Sequence, residues 1–99
     1  MSGTVPSALR LSAQRAFFGR VHPEIRLIKA KLEDDWIVVT VILDRKPTEK
    51  IREDISKAGT EIIADFQSPM KIRELVQVDD GPLAREDALV EGWIYRRHE

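Results

Sequence analysis

Apolar positions between Thr48 and Phe66 recur at helical spacing. Ile51, Ile55, Ala58, Ile62 and Phe66 follow one another at intervals of four, three, four and four residues, which places them on one face. Glu49, Lys50, Arg52, Glu53, Lys57 and Glu61 fall elsewhere and face water. Thr48 is a fair N-cap, Pro47 suits a helix start, and Ser68-Pro69 ends the element. Ordering such a backbone costs about 1–2 kcal/mol per residue. Each large apolar side chain returns about 1.5–3 kcal/mol, and only when buried. The helix therefore requires an apolar platform.

The pattern switches to a period of two upstream. Trp36–Asp44 is the strongest strand, with Ile37, Val39, Val41 and Leu43 on one face and Trp36, Val38, Thr40 and Ile42 on the other. The first face is the expected platform; the second is too apolar to be simply solvated. Glu24–Glu33 alternates as a partner strand, with Ile28, Ala30 and Leu32 on one side and Leu27, Lys29 and Lys31 on the other. Asp34-Asp35 makes the turn between them.

The flanks complete the set of elements. Ser7 caps an N-terminal helix running to about Phe18, with Leu9, Ala13, Ala16 and Phe17 on one face, Leu11 and Phe18 beside it, and Gly19 at its C-terminus. Met1–Pro6 reads as a short flexible leader within a single domain spanning residues 1–99. Met70–Val78 is a third strand whose Arg73-Glu74 pair disturbs the alternation and suggests a bulge. Asp79–Glu91 is a loop, and Gly92–Arg97 a fourth strand with Trp93 and Tyr95 on one face. The order α-β-β-α-β-β predicts an α+β fold: a four-stranded, mainly antiparallel sheet with both helices on one face. If the long helix returns the chain across the sheet, the third strand runs antiparallel to the first. That permits a fully antiparallel order 2-1-3-4 built from two hairpins.

Composition narrows the functional classes. The chain has 99 residues, 42% hydrophobic and 33% charged, with a net charge of −1 and no cysteine. Disulfides and thiolate metal sites are excluded, and no global charge drives it toward nucleic acid or an anionic membrane. The longest apolar run, Trp36–Leu43, is too short to span a bilayer. Charge is nonetheless segregated. Residues 1–31 hold six bases (Arg10, Arg15, Arg20, Arg26, Lys29, Lys31) against Glu24 alone. Residues 74–99 hold seven acids (Glu74, Asp79, Asp80, Glu86, Asp87, Glu91, Glu99) against three arginines. The basic, serine-bearing N-terminus also fits an organelle transit peptide, although its removal would strip a core helix from a small domain.

Candidate chemistry is sparse. His22 and His98 lie outside any metal-ligand spacing, and no serine sits in a nucleophile-elbow context. Asp34-Asp35 and Asp79-Asp80 have the oxygen chemistry for a hard cation, but adjacent strand residues point to opposite faces, so turn acids are the simpler reading. Glycine patterns for phosphate or dinucleotide binding are absent. No catalytic residue, metal or cofactor is therefore assigned. Two binding surfaces remain. Asp79, Asp80, Glu86, Asp87 and Glu91 form an acidic segment suited to a basic protein partner, where such charge raises association rate more than affinity. Lys29, Lys31, Trp36, Trp93, Tyr95 and Arg97 would mix cations with stackable rings on the outer sheet face, as a nucleic-acid-binding module does.

Three stretches carry a family resemblance: Ser12-Ala13-Gln14-Arg15-Ala16-Phe17-Phe18-Gly19, Thr60-Glu61-Ile62-Ile63-Ala64-Asp65-Phe66 and Gly92-Trp93-Ile94-Tyr95-Arg96-Arg97. Together they resemble small bacterial immunity proteins of contact-dependent growth inhibition and related polymorphic-toxin systems. The resemblance covers Leu9–Glu99, and Thr60–Phe66 is its most specific piece. It implies a cytoplasmic, non-enzymatic protein that binds and neutralises a cognate toxin domain. Such toxins are often nucleases with basic active sites, met by acidic immunity surfaces. The chain departs from the pattern at Asp44-Arg45, where relatives tend to have Asp-Gly, and in being nearly neutral. The resemblance implies no catalytic residue.

Overall fold

A computed structural model describes residues 7–66, 70–82 and 93–97. The elements run α1 (Ser7–Phe17), β1 (Ile25–Glu33), β2 (Trp36–Leu43), α2 (Glu49–Ala64), β3 (Lys71–Val78) and β4 (Trp93–Arg96). This is the α-β-β-α-β-β order expected from the alternation and periodicity. The leader Met1–Pro6, the Ser68-Pro69 stop, and Glu86, Asp87, Glu91, Gly92 and His98 lie outside the described residues.

Local chemistry sets the helix ends. The Thr48 hydroxyl accepts the Ile51 amide at 3.2 Å and caps α2. α2 closes at Asp65, whose amide bonds back to Ile62, so the last turn ends two residues before Phe66. Gly19, at φ +79°, takes the left-handed conformation beyond α1, and Arg20 N–H bonds to Phe17 carbonyl. Asp34, at φ 55°, makes the two-residue turn between β1 and β2.

The four strands form one sheet in the order β3-β2-β1-β4. β1 pairs antiparallel with both β2 and β4, whereas β2 and β3 are parallel. The direction expected for β3 holds, but its neighbour is β2, and the second hairpin does not form. Lengths set the end of the sheet at which β3 begins. Sixteen helical residues at about 1.5 Å each span about 24 Å, and eight strand residues at about 3.3 Å each span about 26 Å. α2 thus returns the chain to the start of β2, where the Lys71 amide bonds to the Asp35 carbonyl at 2.8 Å and β3 begins alongside. A helix between adjacent strands gives a parallel βαβ unit.

Both helices cover one sheet face. Ile51, Ile55, Ala58 and Ile62 from α2 and Leu9, Ala13, Ala16 and Phe17 from α1 meet Ile37, Val39, Val41, Leu43, Ile25, Ile28 and Ala30. The outer face of the central strands is closed too: Leu27, Val38, Thr40 and Ile42 are all buried. β3 pairs residue for residue with β2 from Lys71 to Val78, so the expected bulge at Arg73-Glu74 is absent. Bulges occur instead at Arg26 in β1 and at Ile94 in β4, each an extra residue in its ladder.

Candidate functional site

The three stretches that carry the resemblance meet at one corner. The Ser12 hydroxyl, itself buried, donates to Asp65 Oδ2 at 2.5 Å, and Arg15 approaches the same oxygen at 3.5 Å. Arg20 returns from the end of α1 to Glu61 at 2.8 Å while donating to Ala16 carbonyl. The guanidinium holds the Glu61 carboxyl below its ordinary range. Phe17, Ile94 and Tyr95 close the other side of α1. α1 is therefore clamped between the last turns of α2 and strand β4 by residues of all three stretches.

A second network ties together the opposite end of the strands. The Arg97 guanidinium donates to Asp44 Oδ2 at 2.9 Å and to Pro23 carbonyl at 2.8 Å. Hydrogen bonds from Arg45 and Arg97 lower the Asp44 carboxyl. Buried Arg26, at the β1 bulge, donates to the carbonyls of Asp79 (2.5 Å) and Gly81 (2.6 Å) and so fixes the turn after β3. His22 Nε2 donates to Asp54 Oδ2 at 2.7 Å, pinning the α1–β1 connection to α2. That bond, with help from Lys50, holds the buried Asp54 carboxyl below its ordinary range. Nothing in the local sequence marked Arg26 or His22–Asp54, since both contacts join residues more than thirty positions apart.

Of the acidic segment, Asp79 and Asp80 are described and both are exposed. Asp79 is also a turn residue: its carboxylate accepts the Gly81 amide at 3.0 Å. The proposed outer-face set is only partly assembled. Lys29, Lys31 and Trp36 share the outer face, and Trp93 stands opposite Lys29 in the backbone register. Tyr95 does not join them. The β4 bulge puts it opposite Ile28, where it packs against the core side. Arg97 is held at the strand end by Asp44. Trp36 is already flanked by Lys71 and Arg73, at 5.4 and 4.7 Å from its ring centre.

Among the described residues no group of three or more His, Asp or Glu is placed to hold a metal ion. No described helix is long and apolar enough to cross a membrane. Two shallow clefts flank α1. One, of about 330 Å3, lies over Ser12, Arg15, Glu61 and Asp65, and its polar groups are those of the clamp. The other, of about 240 Å3, runs between Gln14, Phe17, Phe18, Val21, Ile94 and Tyr95. Phe18, in its lining, is 88% exposed, and Leu11, elsewhere on α1, is 54% exposed. Periodicity had placed this pair beside the core face of α1; how far they project is visible only in three dimensions.

A comparison with curated proteins finds no match. The comparison with protein families does: residues 6–99 match the MafI2 immunity protein family. The match takes in both helices, all four strands and the clamp that joins them. The chain belongs to the MafI2 immunity protein family.

Proposed function

We propose that the protein is a non-enzymatic immunity factor that binds, in the cytoplasm, the toxin domain made with it and blocks that domain's activity. The observation that carries this reading is the family match across residues 6–99. The site geometry is consistent with it. The polar side chains named above hold elements to one another: Ser12, Arg15 and Arg20 to α2, His22 to α2, Arg26 to the β3 turn, Arg97 to Asp44. Work on a partner then falls to the outer surface. The toxin class we favour is a nuclease delivered by contact-dependent growth inhibition or a related polymorphic-toxin system. Asp80, with Glu86, Asp87 and Glu91 on the same segment, would steer a basic toxin at long range.

The test is direct. The toxin domain encoded immediately upstream is titrated with the purified protein by calorimetry and co-expressed with it in growing cells. A one-to-one complex and restored growth are expected. Absence of both would remove the reading. Growth rescue without nuclease activity in the free toxin would keep immunity and discard the nuclease assignment.

A further inference from the structure

β3 and β4 form the two edges of the sheet, and they differ in how they meet solvent. β4 is four residues long and carries a bulge at Ile94, a shape that resists further pairing. β3 runs for eight residues in unbroken register with β2, without proline or bulge. At its two ends the Lys71 and Asp79 amides bond to the Asp35 and Leu43 carbonyls. Alternation along the strand then turns the N–H and C=O groups of Ile72, Glu74, Val76 and Val78 away from β2. Among the described residues nothing pairs with them. The edge is also wet, with Leu75 38% and Val78 54% exposed. A long open ladder that carries apolar side chains is a template for another strand.

We propose that a second copy of this chain closes that edge: two β3 strands pair antiparallel about a two-fold axis at Leu75, joining the two sheets into one. The strand is self-complementary in this register. On the outer face Leu75 meets Leu75 of the second copy, Arg73 meets its Gln77, and Lys71 meets its Asp79. On the helix face Ile72 meets Val78, and Glu74 meets Val76. The two-fold repeats each contact, so every outward-facing N–H and C=O from Ile72 to Val78 gains a partner. Both exposed apolar side chains are covered, and opposite charges close the two ends of the ladder.

The end charges are available for this. Lys71 is exposed and reaches Asp35 only at 3.8 Å, and Asp79 accepts the Gly81 amide through Oδ1, leaving Oδ2 open. Glu74, lodged against Gly59, faces a valine rather than its own copy. Other registers fare worse. An axis at Glu74 or at Arg73 sets like charges face to face. An axis at Val76 puts Leu75 opposite Gln77 and Val78 opposite Glu74. A foreign strand would have to bring these complements with it, whereas a second copy already holds them. The inference is independent of the immunity reading and leaves one toxin domain for each copy.

Sedimentation of the full chain over rising concentration tests the proposal. The wild type should pass from monomer to dimer. Leu75→Lys sets two ammonium groups against each other at the axis and should weaken dimerisation by about a hundredfold. Lys71→Glu, a change at an exposed position, should weaken it as well, and adding Asp79→Lys should restore it. Circular dichroism of each variant checks that the fold is retained. A wild type that stays monomeric up to about 1 mM, where even a weak specific contact would show, overturns the proposal. So does a dimer that Leu75→Lys leaves intact, or one lost in Lys71→Glu that the charge swap fails to recover. A monomeric wild type whose toxin binding is lost in Leu75→Lys would give the edge to a toxin strand and overturn self-pairing.

Discussion

Gly59 and Glu74 show how one missing Cβ admits a charge to the helix–sheet seam. The register sets Glu74 beside core residue Val39, facing the helix layer, and a Cβ built on Gly59 would overlap its carboxylate. Glu74 keeps contact with water, yet burial against α2 pushes its carboxyl above the ordinary range. Gly59→Ala would recover helix propensity of about 1 kcal/mol. The atom in its way is the far end of a flexible side chain that is free to swing outward. We therefore expect a small rise in melting temperature, with the Glu74 carboxyl moving back toward its usual range by NMR titration. A clear fall in melting temperature would show that Glu74 cannot leave. Arg26 is the opposite case, a buried cation bonded to two backbone carbonyls. Arg26→Met should cost about 1–2 kcal/mol, toward the low end for charged hydrogen bonds because Asp79 and Gly81 retain access to water. Denaturant unfolding measures the loss, and amide exchange should localise it to residues 79–81.

At the scale of elements, α2 is where sequence and structure agree most closely. Ile51, Ile55, Ala58 and Ile62 are all nearly inaccessible, on the Ile37–Leu43 platform that alternation picked out. Ile55→Ala should cost about 2–5 kcal/mol, the spread reflecting how far the site collapses. With total stability of about 5–15 kcal/mol for such a domain, this variant should unfold at much lower denaturant with an unchanged slope. A loss typical of a surface site would mean that Ile55 leaves little void. Periodicity tells which face of an element is apolar, and it did so for α1, α2, β1 and β2. It does not tell which strand lies beside which. β3 was placed next to β1 because its direction allowed it; the length of α2 fixes only the end at which β3 starts, and β3 lies next to β2 while β4 takes the free edge of β1. Nor does alternation survive a bulge. One extra residue at Ile94 moved Tyr95 to the core side and dismantled the expected row of outer-face rings. Conversely, the break in alternation at Glu74 was read as a bulge, when a glycine fifteen residues earlier had made room for a regular strand.

For the whole molecule, carboxylates decide the response to acid, and they do not all act with the same sign. Asp44, Asp54 and Glu61 are held below their ordinary range by Arg45 and Arg97, by His22 and Lys50, and by Arg20. A carboxyl whose folded pKa is depressed contributes stability above its unfolded pKa and loses it as pH falls through the folded value. Glu74 is raised, so its contribution is complete at low pH and disappears as pH rises through its folded value. Three depressed groups tie α1, the α1–β1 connection and β4 to the rest of the fold. One raised group sits on an edge strand. Melting temperature should therefore be nearly flat from neutral pH down to about pH 5 and fall below about pH 4, where model carboxyls begin to protonate. Asp54→Asn should lower the neutral plateau and flatten the acid limb, since the lost bond to His22 is the one that acid would have removed. Glu74→Gln should raise the neutral plateau, with the gain vanishing at low pH where the wild-type carboxyl is already neutral. Melting curves of the three proteins across pH 3–7, a window chosen to span the roughly 4 of free carboxyls, separate these outcomes. An Asp54→Asn curve parallel to the wild type would show that the His22–Asp54 contact carries no weight in the acid transition, and the limb would then belong to Asp44 and Glu61.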